Sequence, residues 1–459
     1  MFLIDFLFNT SGVWFPVIAV YIAWKFGTVW WMQYVNKEYL LGLKWVLLEI
    51  KLPSDVYKTP EAMDIILGNI FFQGGGVGSW NDRIWKGKLL AYTTLEIASI
   101  DGSVHFYIRS EARFRNLIET QIYSQYPKAE VFEVEDYTKK VPMFNRKIDN
   151  GWNCRAFEFK LDKNDTIPIK TYVDYGMDNS SLQLDEFNRI DPLTPMIEML
   201  ASLKPGENLW IQIFIRASGK KLDIYDIKDG KYKKDFLTRM LGSYVDAGEK
   251  FLHIENESDK TKMSWQDQGK AEIKKLIDSH SNAEIVTEKD GKTETKKVGG
   301  YKNLTPLDKH MVDIIQRSIM KYGFDTGARV VYYAPKDVYN GMRVPVELTS
   351  AMRQFAAPEY NQLVMDGGTF TRAWDFETWE DPTGRRSLEK EENMFKAYVK
   401  RAFYYHKAEG EIFDKPKKPF TLNTEELATI FHFPGRTVSS PSFTRIESQK
   451  SEPPSNLPI

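Results

Sequence analysis

The sequence has a single cysteine, Cys154, in 459 residues. An intrachain disulfide is excluded, and so is a cysteine-rich zinc or iron–sulfur centre; Cys154 reads as a small core residue. Charge imbalance is also lacking. The 62 Lys and Arg stand against 63 Asp and Glu, a net charge of −1, so no global field draws the chain to nucleic acid or an anionic surface. The sequence holds no G-x-x-x-x-G-K-[ST] phosphate loop, no H-E-x-x-H and no G-x-S-x-G. Its glycine cluster, Gly74-Gly75-Gly76-Val77-Gly78, lacks the lysine and hydroxyl of a phosphate loop and follows a helical pattern rather than a strand. The six histidines (105, 253, 280, 310, 406 and 432) include no i, i+4 pair. No catalytic, cofactor-binding or metal-ligating residue is assigned from these patterns, and no cofactor is implied.

What is present begins with aromatic and apolar residues. Residues 13–35 form an apolar run of about the length that crosses a bilayer core. Trp14 and Trp31 lie about 25 Å apart along a helix, the spacing of two interfacial belts, with Trp30 beside the second. Lys25, near midspan, is the exception. The expectation is a transmembrane helix at 13–35, a short extracytoplasmic segment at 1–12, and a body on the cytoplasmic face of the inner membrane. Lys37 and Lys44 beyond the span set that orientation.

The body reads as α+β. WVLLEIKL (45–52) is β-rich; Thr59-Pro60-Glu61 opens a helix with Met63, Ile66, Leu67 and Ile70 on one face. Two strands joined at Asp101-Gly102 follow, then a helix carrying Phe114, Leu117, Ile118 and Ile122, then another strand. The β-α-β-β-α-β order predicts a ferredoxin-like domain over 45–138. A second α+β domain is expected over 150–355, with a long charged insertion at 219–303 and no clean ferredoxin-like order. Residues 356–433 read as irregular and helical, and 434–459 as a Pro- and Ser-rich tail. A ferredoxin-like sheet raises RNA recognition, but SVHFYIR (103–109) lacks the basic and glycine parts of that signature.

The strings KWVLLEIKLP (44–53), TLEIASIDGSVHFYIR (94–109), FRNLIETQIYSQYPKAEVFEVEDYT (114–138), ENLWIQIFIR (207–216), GARVVYYAPKDVYN (327–340) and FTLNTEELATIFHFPG (420–435) stand in fixed order, followed by SEPPSNLPI (451–459). Together they resemble the N-terminal, membrane-anchored region of type IV secretion-like (VirB/HerA-type) conjugative ATPases of candidate-phylum (Patescibacteria-type) bacteria. In that family a motor domain follows such a tail, and none of its Walker motifs is carried by this sequence. The resemblance implies a non-catalytic subunit, not an enzyme, that docks a separate P-loop ATPase or another secretion component at the membrane. A DNA-binding platform that guides nucleic acid to a translocase is the alternative, and homo-oligomers fit either role. NTEELATIFHFP (423–434) reads as a short capped helix expected to present Leu427, Ile430 and Phe431, together with Phe433, as the docking face toward the motor.

Overall fold

A computed structural model describes residues 11–53, 58–71, 80–145, 150–178, 191–218, 264–279, 284–289, 292–297, 304–366, 385–402 and 419–434. The chain divides into two units. One comprises residues 1–44, 73–91 and 222–262; the other holds the rest.

In the smaller unit, helix α1 (Ser11–Gly42) runs for 32 residues. The Trp31 indole donates to the Ile84 carbonyl at 2.8 Å, and its ring meets Trp85 edge-on at 5.5 Å. Gly87 lies against this helix with φ +58; a Cβ there would stand 2.4 Å from the Val35 backbone, so only glycine fits. The expected membrane span does not hold. Among the described residues no helix is long and apolar enough to cross a membrane. α1 has the length, but Lys25, Thr28, Gln33, Asn36, Lys37 and Glu38 interrupt its apolar character, and its many Trp and Tyr carry polar atoms. The single-pass inner-membrane location is withdrawn with it. Trp30 and Trp31 are exposed, while residues 1–10 and the side chains of Trp14 and Lys25 lie outside the described residues.

The larger unit is built on one antiparallel sheet. Its first half comprises β1 (Trp45–Lys51), α2 (Glu61–Ile70), β2 (Thr93–Ile100), β3 (Ser103–Glu111), α3 (Arg115–Gln125) and β4 (Glu130–Glu133). The strands lie in the order β2-β3-β1-β4, all neighbours antiparallel, which is the ferredoxin-like order. The second half comprises β5 (Trp152–Leu161), α4 (Thr194–Ala201), β6 (Asn208–Ala217), α5 (Trp265–Ser279), β7 (Glu284–Lys289), β8 (Lys292–Lys297), α6 (Pro306–Ile319), β9 (Gly323–Pro335), α7 (Arg343–Met352) and β10 (Leu363–Met365). Its sheet order is β10-β5-β9-β6. With β5, α4, β6, β9, α7 and β10 taken as the six elements, this is the same topology again.

One correction follows. The second half is ferredoxin-like after all; its pattern is hidden because residues 218–322, with α5, α6 and the separate β7-β8 hairpin, interrupt what would be a β6-β9 hairpin. A long insertion at a hairpin costs little once the flanking strands pair, since closure entropy grows only with the logarithm of length. The two halves share one sheet: β2 and β6 pair over eight residues, from Thr93↔Ile215 to Ile100↔Asn208, and join the repeats edge to edge. The Asp101-Gly102 turn, with φ of 53° and 81°, seats against the loop before β6, where the Asp101 carboxylate accepts from the Gly206 N–H at 2.6 Å.

Strand alternation sorts the two faces. Leu48, Leu95, Ile97, Phe106, Ile211, Ile213 and Val330 meet α2, α3, α4 and α7 in one large core. The opposite face, with Tyr107, Ala98, Trp210, Val331 and Tyr333, is covered by residues 137–144 and by α8 (Arg385–Val399), through Phe395 and Tyr398. Cys154 is buried there. Residues 172–175 form a 3₁₀ turn, because Thr171 and Asp174 cap it reciprocally and Gly176 ends it with φ +67.

Two elements complete the sheet unit. β11 (Phe420–Asn423) pairs with the start of β9, which extends beyond the end of β5. α9 (Thr424–Ile430) follows it at once and packs against α2 of the first repeat. Residues 420–434 therefore tie the second repeat to the first.

Candidate functional site

On the face under α8, directly opposed residues make one row across six strands. Glu49 (β1) stands opposite Tyr107 (β3), Tyr107 opposite Glu96 (β2), Glu96 opposite Gln212 (β6), Gln212 opposite Arg329 (β9), and Arg329 opposite Glu158 (β5). All six are buried. A charge placed there costs several kcal/mol unless it is paired and hydrogen-bonded, so the pairing shows what the row does.

Glu96 lies at the junction of the repeats and receives five hydrogen bonds. They come from Thr94 and Gln212 at 2.8 Å each, Tyr137 at 2.7 Å, and Arg401 through Nε at 3.0 Å and Nη2 at 3.1 Å. Arg401 also binds both oxygens of Asp136. Burial by itself would push the Glu96 carboxyl up; the guanidinium and the other donors outweigh it and hold it below the usual carboxylate range. The same balance of burial against Arg401 lowers Asp136. Arg401 sits just past the end of α8 in the left-handed region, φ 48°, which few non-glycine residues adopt. Its N–H donates to the Tyr398 carbonyl at 2.9 Å, and its own carbonyl accepts from Tyr92 at 3.0 Å.

The flanking pairs repeat the motif in each half. In the first, Glu49 meets His105 Nδ1 at 2.7 Å; burial raises the Glu49 carboxyl, but the His105 hydrogen bond and nearby cations bring it below its ordinary value. In the second, Arg329 donates to Glu158 through Nε at 3.0 Å and Nη2 at 2.9 Å, and reaches the Ala402 carbonyl beyond α8 at 3.2 Å. Burial, with the charges of Glu49, Glu96 and Asp136, holds the Tyr107 phenol protonated. Chemically, the row is a set of matched internal charges that registers two repeats and fastens α8 over their seam.

The sequence contains the signal for this row, a charged or amide residue flanked on both sides by apolar ones in each run: WVLLEIK, TTLEIASI, LWIQIFI, RAFEFKL and GARVVYYAP. That the five polar residues and Tyr107 line up depends on register, which no single strand reveals.

A second polar cluster clamps residues 420–434 on the other face. Asn423 and Glu426 cap each other through their backbone N–H groups at 2.8 and 2.9 Å, and Glu426 also accepts from the Ile169 N–H at 2.9 Å. Glu425 accepts from the Thr171 hydroxyl at 2.5 Å and faces Arg317 at 3.3 Å. Asp165 accepts from the Thr421 N–H at 3.0 Å. His432 pairs with Asp191 at 3.0 Å, in a buried contact. Burial drives the Glu426 carboxyl up to about 8, its two backbone donors notwithstanding, and Asp165 up to about 6. For His432 burial acts downward, but the Asp191 charge wins and raises it.

The expected docking residues are placed in this segment but face inward. Leu427, Ile430, Phe431 and Phe433 are all buried in the core of the helical face. Phe431 and Phe433 meet Phe106 edge-on at 5.7 and 5.5 Å, and Phe433 meets Tyr126 at 5.2 Å. The apolar side of this short helix is spent on joining the repeats, so it is no exposed docking face. Residues 435–459, including the tail, lie outside the described residues. Replacing Asn423 with alanine removes the cap and leaves the Glu426 N–H without its acceptor. A loss of about 1–2 kcal/mol is expected in urea denaturation; a change within ~0.3 kcal/mol would show that the cap is not stabilising.

Among the described residues no group of three or more His, Cys, Asp or Glu is arranged to hold a metal ion. An open groove of about 430 Å³ lies between α4 and α7, lined by Pro195, Glu198, Met199, Glu347, Ser350 and Gln354 among others. Next to it on α7, Met342 and Val346 are exposed at 59% and 65%. The fold and its buried row define a tandem ferredoxin-like α+β protein. No family model matches the chain, and no curated protein matches it.

Proposed function

We propose that the chain is a non-catalytic interaction subunit that docks an ATPase of the type IV secretion and conjugation kind, with the α4-α7 face as the docking surface. The observation that carries this reading is an exposed apolar rim beside a preformed groove. Met342, Val346 and Ser350 follow one another at i, i+4 along α7, and the last of them lines the groove. Exposed apolar side chains beside a concavity are the usual anchors of a partner surface. The platform beneath suits the role, since its polar row is turned inward and holds both repeats in one register. The sequence resemblance to the region preceding a motor supplies the class of partner.

The test is capture of a co-expressed P-loop ATPase of the type IV secretion kind. The double substitution Met342→Asp with Val346→Asp is expected to abolish capture and to leave stability within about 0.5–1 kcal/mol, because both positions are exposed. Undiminished capture by that variant would reject this surface. Absence of capture by the unaltered chain, or saturable ATP hydrolysis by it alone, would reject the function.

A further inference from the structure

Helix α1 carries an apolar stripe that the smaller unit leaves exposed. Val20, Trp24, Gly27, Trp31, Tyr34 and Leu41 follow one another at alternating spacings of four and three, broken only by Glu38, which takes one place in the series. That is the 3.5-residue repeat of a helix–helix seam. Val20, Trp24, Tyr34 and Leu41, with Trp30 beside them, are between 54 and 71% exposed, and Trp31 is 40% exposed even with Trp85 against it. At the middle stands Gly27, whose missing Cβ would meet nothing within 4 Å. A glycine inside a helix costs about 1 kcal/mol relative to alanine, and no contact among the described residues explains this one.

We infer that this stripe is the docking site for α1 of a second copy of the chain, the two helices running antiparallel and crossing at Gly27. Three features select that occupant and that orientation. The six exposed side chains offer roughly 600–700 Å² per copy, given about 150–250 Å² for a whole aromatic side chain. Two copies then bury about 1,200–1,400 Å², which reaches the size of a stable interface. A parallel pair would set Glu38 against Glu38 in the seam, whereas the antiparallel pair places each Glu38 opposite residue 16 and avoids the repulsion. The antiparallel crossing also sets Val20 opposite Tyr34 and Trp24 opposite Trp30, and brings the two Gly27 backbones together, the one place within the stripe where a missing Cβ allows close approach. This inference is independent of the α4-α7 surface.

The test uses the full chain in sedimentation equilibrium. The unaltered protein is expected to be a dimer. Trp24→Glu with Tyr34→Glu should weaken association by about tenfold or more, with the helix content unchanged because both positions are exposed. A Gly27→Cys variant should form a covalent dimer under mild oxidation, since Cys154 is the one native cysteine and is buried, and the crossing brings the two Cα atoms within disulfide range, about 4.4–6.8 Å. A monomer at the highest soluble concentration, a Glu variant that dimerises as tightly as the parent, or a Gly27→Cys variant that does not cross-link would each overturn the inference. So would a monomer that binds phosphatidylcholine vesicles through Trp24 and Tyr34.

Discussion

Replacing Arg401 with alanine is expected to cost about 3–5 kcal/mol of folding stability, the range seen when one partner of a buried ion pair is removed. The size follows from what remains behind: Glu96, fully buried, and Asp136, both of which lose their cation at once. The loss depends on pH, and its sign can be worked out. In the unaltered protein the Glu96 and Asp136 carboxyls lie below their unfolded values. They therefore contribute stability that is present above the unfolded pKa and is lost as pH falls through the folded one. Without the guanidinium, burial is the dominant influence on Glu96, its pKa rises, and neutral pH becomes the unfavourable condition. The variant should thus fall further behind the parent at pH 8 than at pH 5 in urea denaturation. Glu96→Gln combined with Arg401→Met should recover part of the deficit, since the fully buried charge is then gone and only the partly exposed Asp136 is left without its cation. A loss below ~1 kcal/mol, or one independent of pH, would mean that the row does not hold the repeats as described.

The clamp on residues 420–434 has the opposite dependence. Glu426 has a folded pKa of about 8 against an ordinary 4.5. A carboxyl raised in this way adds no cost below its unfolded pKa, and it costs progressively more as pH climbs from about 4.5 to about 8. A shift of that size corresponds to roughly 3–5 kcal/mol between pH 5 and 9. Asp165, raised to about 6, adds to the same trend. His432, raised above 6.5, acts in the same direction, because the stability from its pairing with Asp191 is complete below its unfolded pKa and is lost as pH rises through its folded one. Glu426→Gln should remove most of this slope. At pH 5 the variant is expected to be about 1–2 kcal/mol weaker, because its amide turns an N–H toward a backbone N–H. By pH 9 the order should reverse. Parallel stability–pH curves for parent and variant would contradict the placement of Glu426. Amide hydrogen exchange should locate the change in residues 420–434 and 165–176, the segments this cluster joins.

Several parts of this architecture were legible from local pattern alone. Alternation and the Asp101-Gly102 turn identify β2 and β3, and the helical spacing of Met63, Ile66, Leu67 and Ile70 identifies α2, because both signals are carried within a few consecutive residues. The order of those elements places the first repeat in its class. The second repeat was not legible, for its β6-β9 hairpin is opened by residues 218–322, and local pattern contains no record of which distant strands pair. Leu427, Ile430 and Phe431 show a similar limit: their spacing gives one apolar helix face, and the same face serves equally for a partner or for the core. Only the docking of α9 against α2 and Phe106 decides for the core.

The apolar run near the N-terminus marked the extent of a helix but not its surroundings, since length and aromatic content do not offset Lys25 and the polar residues after Thr28. What the sequence by itself determined is the set of local segments, the charged or amide residue flanked by apolar ones in five of the strands, and the absence of phosphate-loop and zinc-site motifs. The tertiary structure alone decided that the polar residues share one row, that two repeats share one sheet, and that Arg401 closes over their seam. The reason is physical: register and face are set by cross-strand pairing, and a buried carboxylate such as Glu96 persists only where the fold brings a cation to it from 305 residues away.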